Sequence, residues 1–176
     1  MELESTKMTA DQIVAKLQLK PLLPEGGYFR QTYKSDRTIV VSKDALKQSV
    51  KRPEITAILY LVTKENFSAL HRLTTTEVWS AIAGAPSELS LIWPDGRLEK
   101  FKLGTNFSEG EVPQVVVPPG VWQGLRMITH STQEWSLMGT VCSPGFEFDD
   151  FELANGAELL RQYPNHEATI NSLTRQ

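Results

Sequence analysis

The apolar positions fall into short runs with two different periods. From Thr9 to Leu19, "TADQIVAKLQL" places Ile13, Val14, Leu17 and Leu19 at roughly helical spacing behind a cap-like Thr9 or Asp11, which predicts a short amphipathic helix. Two prolines and two glycines in "KPLLPEGG" end it. Beyond that point the period drops to two. "YFRQTYKS", "RTIVVS", "TAILYLVT", "EVWSAIAG", "LSLIWPDG", "LEKFKLG", "PQVVVPPG", "VWQGLRMI" and "EWSLMGTVC" are short, rich in β-branched and aromatic residues, and bounded by Gly or Pro. About nine strands at spacings of roughly 8–12 residues, with "WPDG" as a hairpin turn, predict an all-β antiparallel sandwich or barrel. "TAILYLVT" is apolar almost throughout, as in a strand covered on both faces. "NGAELLRQYP" predicts a C-terminal helix that packs Leu159, Leu160 and Tyr163 on the sheet's outer face. The polar tail after Pro164 is expected to fray.

Composition narrows the function classes. The 176 residues suit one domain spanning 1–176, and 40 % hydrophobic with 22 % charged residues is ordinary for a soluble globular chain. A formal charge of -3 with 18 scattered Lys and Arg offers no basic stripe for a phosphate backbone, so no nucleic-acid partner is expected. No apolar run approaches the roughly 20 residues of a membrane helix, and the N-terminus lacks a leader-like apolar segment. The chain reads as cytoplasmic, with no membrane partner. The single Cys142 cannot form an intrachain disulfide and reads as a buried small residue.

The chemistry concentrates in two stretches about forty residues apart. In "LHRLTTTEVWSAIAG", His71, Glu77 and Gly84 fit the first motif of the cupins, and "PPGVWQ" fits the second through Pro118 and Gly120. Two substitutions depart from that pattern: Leu73 stands where a second histidine is expected, and Gln123 where a third is expected. The leading glycine is replaced by Glu65. More closely, "PEGGYFRQTY", "ALHRLTTTEVWSAIAGAPSELSLIWPDG", "PQVVVPPGVWQG" and "VCSPGFEFDDFEL" resemble a mostly bacterial family of cupin-like proteins of unknown function, over a core of about residues 19–164. The resemblance implies a cupin-type jelly-roll barrel, a homodimer, and likeness in fold to seed storage proteins and sugar-nucleotide epimerases.

Three readings of the barrel interior stay open. A metal set of His71, Glu77 and Gln123 would hold a divalent ion only weakly, because leucine contributes no lone pair and a glutamine amide is a poor neutral ligand; no other cofactor is expected. Without metal, the resemblance to epimerases implies His71 as general base, Glu77 as its orienting or second acid–base group, and Tyr28 or Tyr60 as proton donor to a sugar-like metabolite. In the third reading the same residues only bind a small-molecule ligand, or His71 and Glu77 merely satisfy each other in the core.

Further candidates surround this pair. Trp79 shares the face of Glu77 and is expected inside the mouth, whereas Trp122 lies opposite the face of Gln123. Trp93 and Trp135 suit the core. Tyr28, Arg30, Trp79 and Gln123 are the candidate substrate-binding residues; Arg30 either clamps an anion or pairs with the acidic "FEFDDFEL". In that stretch Phe146, Phe148 and Phe151 suggest a closure of the mouth or a dimer contact, with most of the acids facing water. His130 and His166 are expected at the surface.

Overall fold

The computed structural model describes residues 8–43, 48–128 and 133–175. Helix α1 (Ala10–Leu17) begins on Thr9, whose hydroxyl accepts from the Gln12 N–H while the Gln12 side chain accepts from the Thr9 N–H. Strands follow in the order β1 (Lys20–Pro21), β2 (Tyr28–Lys34), β3 (Thr38–Lys43), β4 (Gln48–Pro53), β5 (Thr56–Thr63) and β6 (Ser68–Leu73). The middle of the chain adds β7 (Thr76–Gly84), β8 (Ser87–Ile92), β9 (Leu98–Leu103), β10 (Gln114–Val117) and β11 (Trp122–Met127). β12 (Trp135–Ser143), β13 (Phe151–Leu153), α2 (Gly156–Gln162) and α3 (Glu167–Leu173) complete it.

Two antiparallel sheets form the jelly roll, in the orders β1-β2-β5-β12-β7-β10 and β13-β6-β11-β8-β9, with β3 and β4 as a separate ribbon. Their facing sides enclose the core, where Tyr60 and Val62 from one sheet meet Leu89, Leu91 and Leu125 from the other. β5 is apolar on both faces because both are covered: Tyr60 points inward, while Leu61 packs outward beneath Ile13 of α1 and against Trp135. Each such fully buried leucine removes enough apolar area to contribute about 2 kcal/mol.

The nine expected strands are present, and "QSVKRP" and "SALHRL" add β4 and β6 to them, with the short β1 and β13 besides. "WPDG" closes the β8–β9 hairpin, with the Trp93 N–H donating to the Arg97 carbonyl at 2.9 Å. Leu159 of α2 and Tyr163, its C-cap, cover Leu70, Ile92 and Trp122 on the outer face of the smaller sheet.

The expectation of a frayed tail is corrected. Ile170 and Leu173 of α3 are buried in the same cluster as α2, so an apolar pair at i, i+3 inside a polar sequence anchors the tail. His166 is no free surface residue either: its Nε2 lies 2.7 Å from the Gly96 carbonyl. His130 lies outside the described residues. Among the described residues no helix is long and apolar enough to cross a membrane.

Candidate functional site

At one end of the space between the sheets lies a cavity of about 300 Å³. β6 and β7 bring His71 and Glu77 to its wall, and β11 places Gln123 directly opposite His71 in register.

His71 is 2 % exposed, and its ring stacks on Phe151 with centroids 5.3 Å apart. Its Nδ1 lies 2.8 Å from the Ala69 carbonyl. A carbonyl only accepts, so Nδ1 carries a proton, and Nε2 is the nitrogen left to take or give one. Nε2 makes no hydrogen bond among the described residues.

Glu77 sits in a chain of oriented polar groups. The Trp79 indole N–H donates to Gln123 Oε1 at 2.8 Å, which fixes the amide so that Nε2 donates to Glu77 Oε2, also at 2.8 Å. Burial pushes the Glu77 carboxyl up to about 7; nearby Glu25 adds to the rise, while His71, Thr140 and Gln123 oppose it. A buried carboxyl of this kind exchanges its proton near neutral pH.

Glu25 is the residue that sequence reasoning missed. It is 8 % exposed, lines the cavity, and through Oε1 accepts a 2.6 Å hydrogen bond from Ser68. The same oxygen is 3.9 Å from His71 Nδ1. Its position follows from "PEGG". Gly26 and Gly27 both hold positive φ, and a Cβ on Gly27 would lie 2.5 Å from the Tyr60 hydroxyl oxygen. The chain therefore turns tightly beside Tyr60, whose hydroxyl donates to the Gly26 carbonyl at 2.8 Å. An acid directly before a double glycine was the available signal. Burial raises the Tyr60 phenol well above its ordinary pKa, which makes it a poor proton donor.

Tyr28 and Arg30, expected to contact substrate, lie on the other face of β2. Phe29 pairs with inward-facing Tyr60, whereas Arg30 pairs with Leu59, which packs outward beside α1. Tyr28 packs there too. Strand alternation therefore gives the cavity Phe29 and Gln31 instead. The Arg30 Nε is buried without a hydrogen-bond partner among the described residues. The "FEFDDFEL" stretch instead engages Lys34, Arg52 and Arg72 through Glu147, Asp150 and Glu152.

Asp149 and Glu152 are exposed, and Asp150 is the exception among the acids: it is 5 % exposed and holds Arg52 through two hydrogen bonds of 2.5 and 3.1 Å. Phe146 and Phe148 meet edge to face at 5.2 Å and line the cavity, so the aromatic residues of this stretch do border the mouth. Trp79 is buried between the sheets and Trp122 lies outside them beneath α2 and α3.

The donor set does not suit a tight metal site. Gln123 Oε1, the only atom with which that side chain could ligate, is turned to the Trp79 N–H while the amide nitrogen faces Glu77, and Leu73 presents a hydrocarbon wall to the cavity. Among the described residues no group of three or more His, Cys, Asp and Glu is disposed around a common metal position.

Two facing antiparallel sheets around an interior histidine and glutamate define a protein of the cupin class. Residues 11–154 match the family described as Cupin superfamily (DUF985), and the chain belongs to it. It is 29 % identical over 143 residues to the uncharacterised protein YML079W of Saccharomyces cerevisiae, covering 78 % of this chain and 71 % of that one. Among solved structures, a hypothetical protein from Leishmania major is 31 % identical with a TM-score of 0.87, covering 96 % of this chain and 100 % of that one. Protein SO0799 from Shewanella oneidensis is 35 % identical with a TM-score of 0.81, covering 96 % and 98 %.

Proposed function

We propose that this chain binds a small polar metabolite in the cavity and moves a proton to and from one of its carbons, as an isomerase or epimerase does. His71 Nε2 is the base, and Glu77, protonated near neutral pH, is the second acid–base group. Trp79 and Gln123 orient Glu77 rather than touch the reacting carbon. The observation that carries this reading is Glu77 itself: a carboxyl at about 7, aimed by Gln123, on the wall of a ligand-sized cavity that also holds an imidazole of fixed tautomer.

The chemistry is balanced by the two groups. Nε2 takes the proton from a carbon beside a carbonyl while Glu77 donates its own to the carbonyl oxygen, giving an enol; the reverse transfers return a proton to carbon. A nucleotide-linked sugar is disfavoured. The cavity's Lys34 is held by Glu147 at 2.8 Å, which leaves no free lysine or arginine on its described wall for a diphosphate. The reading includes a cytoplasmic homodimer, supported by the family resemblance and by the lone thiol.

The test is deuterium uptake from D2O, by NMR, into a panel of small aldoses, ketoses and 2-amino aldoses, using untagged chelator-treated protein. Uptake beside the carbonyl of at least one compound is expected, abolished by His71→Ala with a melting temperature within a few degrees of wild type. Ligand binding without uptake across the panel would make the chain a binding protein instead.

A further inference from the structure

Resting on the reading of the cavity as a small-molecule site, the charges inside it narrow the ligand class. Two buried acids, Glu25 and Glu77, line the same cavity of about 300 Å³. Glu25 uses Oε1 for Ser68, and no lysine or arginine pairs with its carboxylate among the described residues. Lys34, the only lysine or arginine among the described residues lining the cavity, is neutralised by Glu147. The acids thus outnumber the available cations. His71, 2 % exposed, lines the same cavity with an Nε2 that has no hydrogen-bond partner among the described residues.

The remaining wall is aromatic. Phe29, Tyr60, Trp79, Phe146 and Phe148 all border the cavity, and Tyr60 meets Trp79 edge to face at 5.5 Å. Ring faces carry negative potential and attract a cation, more strongly when water is excluded.

From this juxtaposition we infer that the cavity takes a small amine, whose ammonium group sits on Glu25 while its carbon frame lies against the aromatic wall. A neutral ligand that displaced water would leave Glu25 and Glu77 to share the His71 imidazole, 3.9 Å from Glu25, and an anion would add repulsion. An ammonium supplies the missing positive charge and up to three N–H donors to carboxylate oxygens.

Three probes that share one ring and differ in one head group test this: benzylamine, benzyl alcohol and benzoate, titrated into the full chain with binding read from the Trp79 indole N–H resonance. Benzylamine is expected to bind at least tenfold tighter than benzyl alcohol, with benzoate weakest, and Glu25→Gln is expected to erase most of the amine preference. Equal binding of amine and alcohol, tighter binding of benzoate, or no binding of any probe would overturn the inference. So would an amine preference that survives in Glu25→Gln, since the substituted amide can keep the Ser68 bond and the fold while carrying no charge. Deuterium uptake into a neutral sugar alongside a failed amine preference would refute only the amine. Amine preference without uptake would refute only the proton transfer.

Discussion

The Trp79 indole N–H donates to Gln123 Oε1 at 2.8 Å, and this single bond decides what Gln123 can do. Because the oxygen accepts from Trp79, it is the amide N–H that faces Glu77, and an N–H is no metal ligand. Restoring histidines reverses that. The double variant Leu73→His, Gln123→His adds two imidazoles to His71 and Glu77, on positions that line the cavity or pair with His71 across β6 and β11. It is expected to retain close to one divalent ion per chain after dialysis, measured by elemental mass spectrometry, where wild type retains little. A metal-free double variant would count against the alignment of these strands with a metal-binding cupin.

Glu77 makes stability depend on pH in a specific direction. The unfolded chain loses this proton near 4.5, while the folded chain keeps it up to about 7. The folded state therefore binds more protons between those values, and stability falls as pH rises through that window. Above it the burial of charge costs about 3 kcal/mol. Glu77→Gln still accepts from Gln123 but has no charge to bury, so it is expected to melt higher at pH 8, by about 6–12 °C for a chain of this size, and to lose the pH slope. Identical melting profiles from pH 5 to 8 would contradict the burial argument. The same variant is expected to lose deuterium uptake.

Gly27→Ala tests the turn that delivers Glu25. Its φ is +68°, and the new Cβ would meet the Tyr60 hydroxyl oxygen at 2.5 Å. Strain at the backbone together with the clash is expected to cost about 2 kcal/mol or more, read by urea unfolding. A variant with wild-type stability would mean the turn yields easily and does not fix Glu25.

Arg52 and Asp150 tie the β3–β4 ribbon to the segment that carries Phe146 and Phe148. Removing one partner leaves a buried charge alone: Asp150→Ala is expected to cost about 3–5 kcal/mol by denaturant unfolding. Arg52→Met combined with Asp150→Leu is expected to recover most of that loss, because neither charge then remains. If the double variant is as unstable as the single one, the segment is held by packing rather than by this pair.

How much of this was legible beforehand follows from which signals are local. Strand alternation placed Trp79 with Glu77 and set Trp122 apart from Gln123, and the cap of α1 is Thr9, one of the two candidates Thr9 and Asp11. The phase of β2 was not legible. Tyr28 and Phe29 are both aromatic, so pattern alone could not say which faces inward, and Arg30 went to the wrong side with Tyr28. Glu25 lies on a loop, where no periodicity applies, and only the space beside Tyr60 explains its position. Polar composition concealed α3, whose burial depends on a surface made by β6 and β11. Asp150 could not be assigned to Arg52 because 98 residues separate them.

The most direct measurement is the titration of Glu77 by carbon-13 NMR, with Glu77→Gln assigning the carboxyl signal. An apparent pKa near 7 in the free protein, moving downward when benzylamine binds, is the result expected of an acid–base group waiting for a cationic ligand. A carboxyl that titrates near 4.5 and ignores the amine would contradict it, and would return His71 and Glu77 to the role of ordinary polar residues in a jelly-roll core.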